Sequence, residues 1–465
     1  MKSNLKYALA FLGGSALFSG CDPTIESPSL KPGTANFSRY VAVGNSLTAG
    51  YADGGLYLEG QKVAWPVLVA QQMKSVGGGE FEMPYLNESA PNGSGYKILT
   101  GFDATGSPII GDVAPGADVV GSVAGLTPDF GTNKYVVKTT GQLWPNNMGV
   151  PGLFVDNVDK TGFGLFQGYF ARLVPADKLP TTSYLSAVGQ SNATFFTCWL
   201  GNNDVLFNAL KGGTVPEITG DGPFRANYSR LLDSLSKGGA KGVVANIPNV
   251  TSAPHFTTVS YARLSAAISL SAPQVAALKA SYAPLNAGIK EYNLATGQNI
   301  DTVNFREGAP NAPMIADKTH PFGMRPMNAK DLAVLTLPTD SIKAGWGTAK
   351  PIPDSCVITS TELANINART IALNAIIKDE ATKRNIPLFD ANNFLETQIK
   401  PGAYFDGILV NAGFVSGGAF SLDGIHLTPR GNAIVANEFI KTINKSYNAS
   451  IPLVNVGAYG GVKFP

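Results

Sequence analysis

The sequence is poor in the side chains that most often bind metals or form disulfides. Its 465 residues include three cysteines and three histidines. Disulfide-dependent secreted proteins are small and cysteine-dense, which this chain is not, and nothing supports a bond between Cys198 and Cys356. His255, His320 and His426 lie far apart in sequence, and none has a second ligand at the spacing of a zinc motif. We therefore expect neither a disulfide framework nor a metal site.

A bias toward one sign of charge is also missing. The chain has 35 basic and 33 acidic residues, a formal net charge of +2 and no basic block, which excludes the electrostatic pattern of a nucleic-acid-binding protein. No phosphate loop or G-x-G-x-x-G motif follows a predicted strand, so we expect no cofactor. With 44% hydrophobic and 15% charged residues, the chain can bury a large core.

The amino terminus lacks an apolar run long enough to span a membrane. Lys2 and Lys6 precede "YALAFLGGSALFSG", which ends in small residues and predicts an export signal over residues 1–20. Cys21 follows in "LFSGC", which resembles a bacterial lipobox, although Phe18 stands where Leu or Val is usual. This resemblance implies lipidation of Cys21 and an exported, outer-membrane lipoprotein. An ordinary secretory signal with an incidental cysteine is the alternative.

Strand-like and helix-like segments alternate along the rest of the chain. Four short apolar runs predict buried parallel strands: "YVAVG", "ATFFTCWLG", "GVVANIP" and "IPLFDA". Amphipathic patterns between and after them predict helices, including residues 361–385 with Thr361 near the start, and residues 428–447. The alternation predicts an α/β fold with a mostly parallel sheet and helices on both faces.

The pattern also predicts how the chain is divided. Polar, proline-bearing residues 21–36 suit a flexible tether, and residues 37–445 form the predicted main domain. Residues of about 76–145 and 250–350 break the alternation. Because structureless loops of that length are uncommon, we interpret both as structured insertions. Residues 446–465 are predicted to be a carboxy-terminal tail.

Four separated pieces of sequence offer chemical groups. They are "GNSLTAGY" (44–51), "NNMGVPG" (146–152), "GNND" (201–204) and "DGIHLTPRGN" (423–432). The first and third follow predicted strands directly, and sites in open α/β sheets form beyond the carboxyl ends of strands. We therefore expect these pieces to meet.

Each piece supplies a different part of a nucleophilic site. Ser46 offers a hydroxyl, and Asp423 is close enough along the chain to orient the imidazole of His426. The backbone N–H of Gly152 can approach a substrate oxygen because glycine has no side chain. With the amide of Asn203 and the N–H of Ser46, it would make three donors for an oxyanion. Taken singly, each of these residues is more often a turn, cap or packing residue. It is the occurrence of all four pieces in this order that indicates a nucleophilic site.

The four pieces resemble, in order, the four blocks of the GDSL-type (SGNH) esterases and lipases. The nucleophile block is G-N-S-L here, with Asn45 where the family has aspartate, and the other blocks are N-x-G-x-x-G, G-x-N-D and D-x-x-H. The resemblance implies a flavodoxin-like three-layer α/β/α sandwich enlarged by the two insertions. It also implies a triad of Ser46, Asp423 and His426, with Ser46, Gly152 and Asn203 as oxyanion donors. Asn45 can still bond loop backbone, so we expect activity to be retained.

The resulting expectation is a serine esterase or lipase that hydrolyses carboxylic esters through an acyl-enzyme. Its substrate would be a small-molecule, lipid or acylated-glycan ester, and no nucleic acid is involved. The membrane would be contacted through the lipid anchor, and the oligomeric state stays open. The alternative is a non-catalytic surface lipoprotein that binds glycan or lipid on the same scaffold, because a fold does not guarantee a function.

Overall fold

A five-stranded parallel β-sheet forms the centre of the protein in the computed structural model, which describes residues 29–104, 106–116, 144–216 and 219–465. The strands are β1 (Tyr40–Gly44), β2 (Tyr96–Phe102), β3 (Pro108–Val113), β4 (Asn147–Gly149), β5 (Phe195–Trp199), β6 (Lys241–Ala245), β7 (Met314–Ala316), β8 (Met324–Pro326), β9 (Leu332–Ala333), β10 (Val357–Ile358), β11 (Leu388–Phe389), β12 (Ala403–Phe405) and β13 (Ile408–Val410).

The order of strands in the central sheet is β11-β6-β5-β1-β4. Every neighbouring pair is parallel. Numbered by their order along the chain, these five strands read 2-1-3-4-5 from the β4 edge, which is the order of flavodoxin-like folds. The fold prediction is therefore confirmed. In this topology ligands bind where the strand order reverses, which here is between β1 and β5.

Helices cover both faces of the sheet. They are α1 (Ser46–Ala49), α2 (Leu58–Lys62), α3 (Trp65–Met73), α4 (Gly168–Ala171), α5 (Tyr184–Gly189), α6 (Asn203–Leu210), α7 (Asp221–Leu235), α8 (Pro254–Thr257), α9 (Tyr261–Ala267), α10 (Ala272–Thr296), α11 (Thr339–Lys343), α12 (Ser360–Lys383), α13 (Ala391–Phe394) and α14 (Pro429–Tyr447). Helix α3 packs against α14, and α7 packs against α5 and α12. The sheet between them is fully buried along β1 and β5, as their continuous apolar sequences predict.

The two stretches that break the strand–helix alternation contain folded elements. After α3 the chain forms the antiparallel hairpin β2–β3, whereas "KYVVKTT" (134–140) lies outside the described residues. After β6 it forms α8 to α11 and the short strands β7 to β10, with a separate small core around Tyr282, Phe305 and Met314.

Both ends of the described chain are bound to the domain. The backbone N–H of Thr34 donates to the carbonyl of Tyr447 (2.8 Å), and Lys31 and Ser450 are also hydrogen-bonded to each other. The stretch from Lys31 to Asn36 is thus attached rather than free, which differs from the flexible tether expected there. In the tail, Ile451 and Val456 are buried, so these residues belong to the domain core.

Candidate active site

Ser46 stands at the carboxyl end of β1, one of the strands of the central sheet. The strand ends at Gly44, and Ser46 is the first residue of α1. Asn45 is the amino-terminal cap of this helix, and its side-chain oxygen accepts the N–H of Leu47 (3.1 Å). Leu47 lies in α1, so the asparagine bonds helix backbone rather than the loop backbone expected from the sequence. Gly44 has to be glycine, because a Cβ there would lie 2.1 Å from Oγ1 of Thr48.

Ser46, His426 and Asp423 form one hydrogen-bonded chain. Nε2 of His426 lies 2.8 Å from Oγ of Ser46, and Nδ1 of His426 lies 2.7 Å from Oδ2 of Asp423. Helix α14 begins just after this histidine, with Thr428 as its cap. The structure therefore brings together the three residues predicted as a triad, in the order hydroxyl, imidazole, carboxylate. Such an arrangement can take a proton from the hydroxyl as its oxygen attacks an electrophile.

Asp423 is held in its ionised form. Burial alone would raise its pKa, but the charge and hydrogen bonds of His426 and the N–H of Ile425 outweigh this and place the pKa well below its usual value. Its Oδ1 accepts the backbone N–H of both Ile425 and His426 at 2.8 Å. The carboxylate is therefore charged at neutral pH and can stabilise a protonated imidazole.

The predicted oxyanion residues emerge at the same edge of the sheet. Gly44 lies opposite Gly149 of β4 on one side and Trp199 of β5 on the other. Gly152 follows β4 with a left-handed backbone (φ 76°), and Asn203 opens α6 after β5. Nδ2 of Asn203 donates to the carbonyl of Leu153 (3.0 Å), which places the glycine block beside the asparagine block. One N–H of this amide remains for another acceptor.

The neighbouring residues of the G-x-N-D block differ in their contacts. Asn202 is 4% exposed, and neither its side-chain nitrogen nor its oxygen has a hydrogen-bond partner among the described residues. Asp204 accepts the N–H of Val155 (3.1 Å) and the hydroxyl of Thr219. Burial raises the pKa of Asp204 to about 7 in spite of these bonds. Asp204 thus ties α6 to the loop that follows Gly152.

Three residues beside the site were not singled out by the sequence. Nδ2 of Asn147 donates to the carbonyl of Thr48 (2.8 Å), and its oxygen accepts the N–H of Gly149, which joins β4 to α1. The ring of Tyr51 lies 4.6 Å from that of His426. The N–H of Gly54 donates to Oδ2 of Asp423 (2.9 Å). Asn147 stands in the N-x-G-x-x-G block and Tyr51 ends the piece "GNSLTAGY", whereas Gly54 lies outside the four pieces.

His255 lies next to Asp423 without joining the triad. The sequence predicts a loop residue near the site. The residue lies in the short helix α8, its N–H donates to the carbonyl of Gly424, and its Nδ1 is 3.2 Å from the carbonyl of Asp423. Burial lowers the pKa of His255, so its ring is neutral at pH 7. It supports the turn that carries Asp423.

The described part of the chain also contains two cysteines. Cys198 and Cys356 are both free thiols, and burial raises the pKa of Cys198 to about 12. No group of three or more His, Cys, Asp or Glu residues is arranged for metal binding within residues 29–104, 106–116, 144–216 and 219–465. Among the helices of these same residues, none is sufficiently long and apolar to cross a membrane.

Comparison with known families agrees with this geometry. Residues 305–439 match the family described as GDSL-like Lipase/Acylhydrolase. This match supports the GDSL/SGNH superfamily. The matched segment contains Asp423 and His426. It begins after Ser46, Gly152 and Asn203, so these three residues lie outside the match. No curated protein matches the chain. The GDSL-like match indicates a hydrolase of the esterase or acylhydrolase type in general terms.

Proposed function

We propose that the protein is a serine esterase that hydrolyses carboxylic esters through an acyl-enzyme. The observation that carries this proposal is the continuous chain from Oγ of Ser46 through His426 to Asp423, with both links at hydrogen-bond distance. An ionised carboxylate behind an imidazole, with a hydroxyl in front of it, is the arrangement that activates a serine.

In the first half-reaction, Oγ of Ser46 attacks the acyl carbon of the ester while Nε2 of His426 takes the hydroxyl proton. The carbonyl oxygen becomes an oxyanion, which would be bound by the N–H groups of Ser46 and Gly152 and the amide of Asn203. The imidazolium then gives its proton to the departing alkoxide. The products are an alcohol and a serine ester of the acyl group.

The second half-reaction regenerates the serine. A water molecule loses a proton to Nε2 of His426 as its oxygen attacks the acyl carbon, and the same donors hold the second oxyanion. Collapse of this intermediate returns the proton to Oγ of Ser46 and releases the carboxylic acid. Asp423 stays ionised throughout and stabilises the imidazolium. The acyl group transferred is that of a small-molecule, lipid or acylated-glycan ester.

A chromogenic ester assay tests this function. Purified protein should hydrolyse a short-chain p-nitrophenyl ester, and a serine-reactive phosphonate should abolish turnover, losing its leaving group and leaving its phosphonyl group on Oγ of Ser46. A protein that binds glycan or lipid without catalysis would give neither turnover nor labelling, and that outcome would contradict the proposal.

We also propose that Cys21 carries a lipid anchor, which would place the protein in the outer membrane with its folded domain outside the bilayer. The support is the sequence "LFSGC" after an export signal. One acyl chain gives marginal membrane binding, so stable attachment would need the several chains of a bacterial lipoprotein.

A further inference from the structure

We infer that Asp53 is a positioning residue for the triad acid: the segment of residues 51–57, here called the clamp loop, holds Asp423 in the orientation that aligns His426. The inference rests on the proposed function, because it assigns the loop a part in the same triad. Asp53 touches none of the reacting atoms and would act through Asp423.

The carboxylate of Asp53 is bonded to the turn that carries Asp423. One oxygen accepts the N–H of Leu422 (2.9 Å), the residue directly before Asp423, and the other accepts the hydroxyl of Tyr57 (2.7 Å). The N–H of Asp53 itself donates to Oγ of Ser421 (2.9 Å). Asp53 therefore fixes two consecutive residues on the amino-terminal side of the triad acid.

The clamp loop also reaches the carboxylate of Asp423. Oγ of Ser421, which accepts from Asp53, donates its own proton to Oδ1 of Asp423 (3.2 Å). The N–H of Gly54 donates to Oδ2 (2.9 Å), the same oxygen that faces His426. The clamp loop thus bonds Oδ2 directly and supports Oδ1 through Ser421. A change in the loop would rotate the carboxylate and with it the imidazole.

The first insertion supports this loop from behind. The N–H of Lys97 in β2 donates to the carbonyl of Asp53 (2.7 Å), and the ring of Tyr96 stacks on that of Tyr57 with 4.2 Å between centroids. Leu99 of the same strand packs with Leu422. The hairpin β2–β3, which carries no family motif, therefore braces the triad acid through the clamp loop.

Asp53→Asn tests the inference with little risk to folding. Asp53 has a left-handed backbone (φ 53°), which asparagine tolerates. The amide nitrogen of asparagine cannot accept, so one of the two bonds from Leu422 and Tyr57 is lost. We expect kcat to fall about 10- to 100-fold with KM changed less than about twofold, because alignment of the reacting groups is lost while substrate binding is kept.

Asp406→Asn is the matched control. Asp406 also has a left-handed backbone (φ 48°) and also accepts a backbone N–H, that of Val456 at 2.7 Å. It lies between β12 and β13, which are not part of the central sheet. This variant should keep the wild-type kcat.

A second comparison places Asp53→Asn in an Asp423→Ala background. There it should have almost no further effect on kcat, since a residue that acts through Asp423 has no carboxylate left to position.

A readout independent of turnover is the NMR signal of the Nδ1 proton of His426, which is shifted downfield by its bond to Asp423. The Asp53→Asn protein should lose or broaden this signal, and the Asp406→Asn protein should retain it. If the Asp53→Asn protein loses the signal but the wild-type protein hydrolyses no ester, the clamp is upheld and the esterase is overturned. The clamp is overturned by an unchanged signal, by an unchanged kcat in an active enzyme, or by an equal loss of kcat in the Asp423→Ala background.

Discussion

The hydroxyl of Ser46 and the imidazole of His426 meet at 2.8 Å although 380 positions separate them in the sequence. Residues that act on one proton act as a unit. We therefore expect Ser46→Ala and His426→Ala each to lower kcat by several orders of magnitude, roughly 10⁶-fold in a comparable triad, and the double variant to be scarcely worse. Ester turnover with circular dichroism as a folding control measures this. Losses that multiply in the double variant would contradict a shared mechanism.

The adjacent residues Asn202 and Asn203 give a paired test of the oxyanion assignment. Asn203→Ala should lower kcat roughly 10²- to 10³-fold with little change in KM, because its amide would bind charge that develops only in the transition state. Asn202→Ala should have a far smaller effect, since its side chain has no hydrogen bond to lose within the described structure.

Steady-state kinetics and melting temperatures of both variants decide the matter. If Asn203 serves only to bind the carbonyl of Leu153, the Asn203→Ala variant has a lower melting temperature, and its turnover per folded molecule stays the same. If Asn202→Ala is the variant that loses turnover, the oxyanion assignment of this block is wrong.

Asp204 predicts a pH dependence of stability. Its pKa of about 7 in the folded protein lies above the ordinary value of 3.8. Between these values the folded protein holds a proton that the unfolded chain has released, so stability decreases as the pH rises from about 4 to about 7. The decrease is at most roughly 4 kcal/mol, because one pKa unit corresponds to about 1.4 kcal/mol.

The Asp204→Asn variant has no side chain at this position that binds or releases a proton between about pH 4 and pH 7. Its melting temperature should vary less with pH over that window than that of the wild type. Parallel curves for Asp204→Asn and the wild type would show that Asp204 is ionised in the folded protein.

Membrane attachment is tested at Cys21. If this residue is lipidated, the exported protein should partition into the detergent phase, and Cys21→Ser should move it to the aqueous phase with ester turnover unchanged. Mass spectrometry of the amino-terminal peptide should show the added acyl chains. A wild-type protein that stays wholly in the aqueous phase after export would contradict the anchor.

The central strands could be predicted from sequence because a strand buried on both faces is a run of apolar residues. All four predicted strands are present, and β1 and β5 are buried along their whole length. Strand β4 was missed. It is three residues long and begins with asparagine, so it has no apolar run to mark it. The side chain of Asn146 donates to the carbonyl of Tyr40 in β1, and that of Asn147 donates to the carbonyl of Thr48 in α1.

Local signals decided how well the helix starts were predicted. Thr428 caps α14, at the start of the segment expected to be helical. For α12 the sequence drew attention to Thr361, whereas the cap is Thr359, whose side chain and that of Glu362 bond each other's backbone N–H. The Glu three residues after Thr359 was the signal that distinguishes the two threonines.

The candidate site was predictable only in part. Asp423 and His426 are only three positions apart, so their contact could be predicted from the sequence. The clamp loop is not, because its bond from Gly54 to Asp423 joins residues 369 positions apart through a backbone N–H, which any residue but proline could supply.

The amino-terminal segment is attached to the end of the sheet opposite the candidate active site. Thr34 is bonded to Tyr447 and to Lys241, the first residue of β6, and so lies at the amino ends of the strands, whereas Ser46 follows the carboxyl end of β1. A solid support that holds the protein by its amino terminus would therefore face the end of the sheet opposite Ser46. Immobilisation through this end should leave the hydroxyl open to solution. If Cys21 carries the proposed anchor, the eight residues from it to Ser29 extend at most about 28 Å, so the bilayer would lie nearer to the amino ends of the strands than to Ser46.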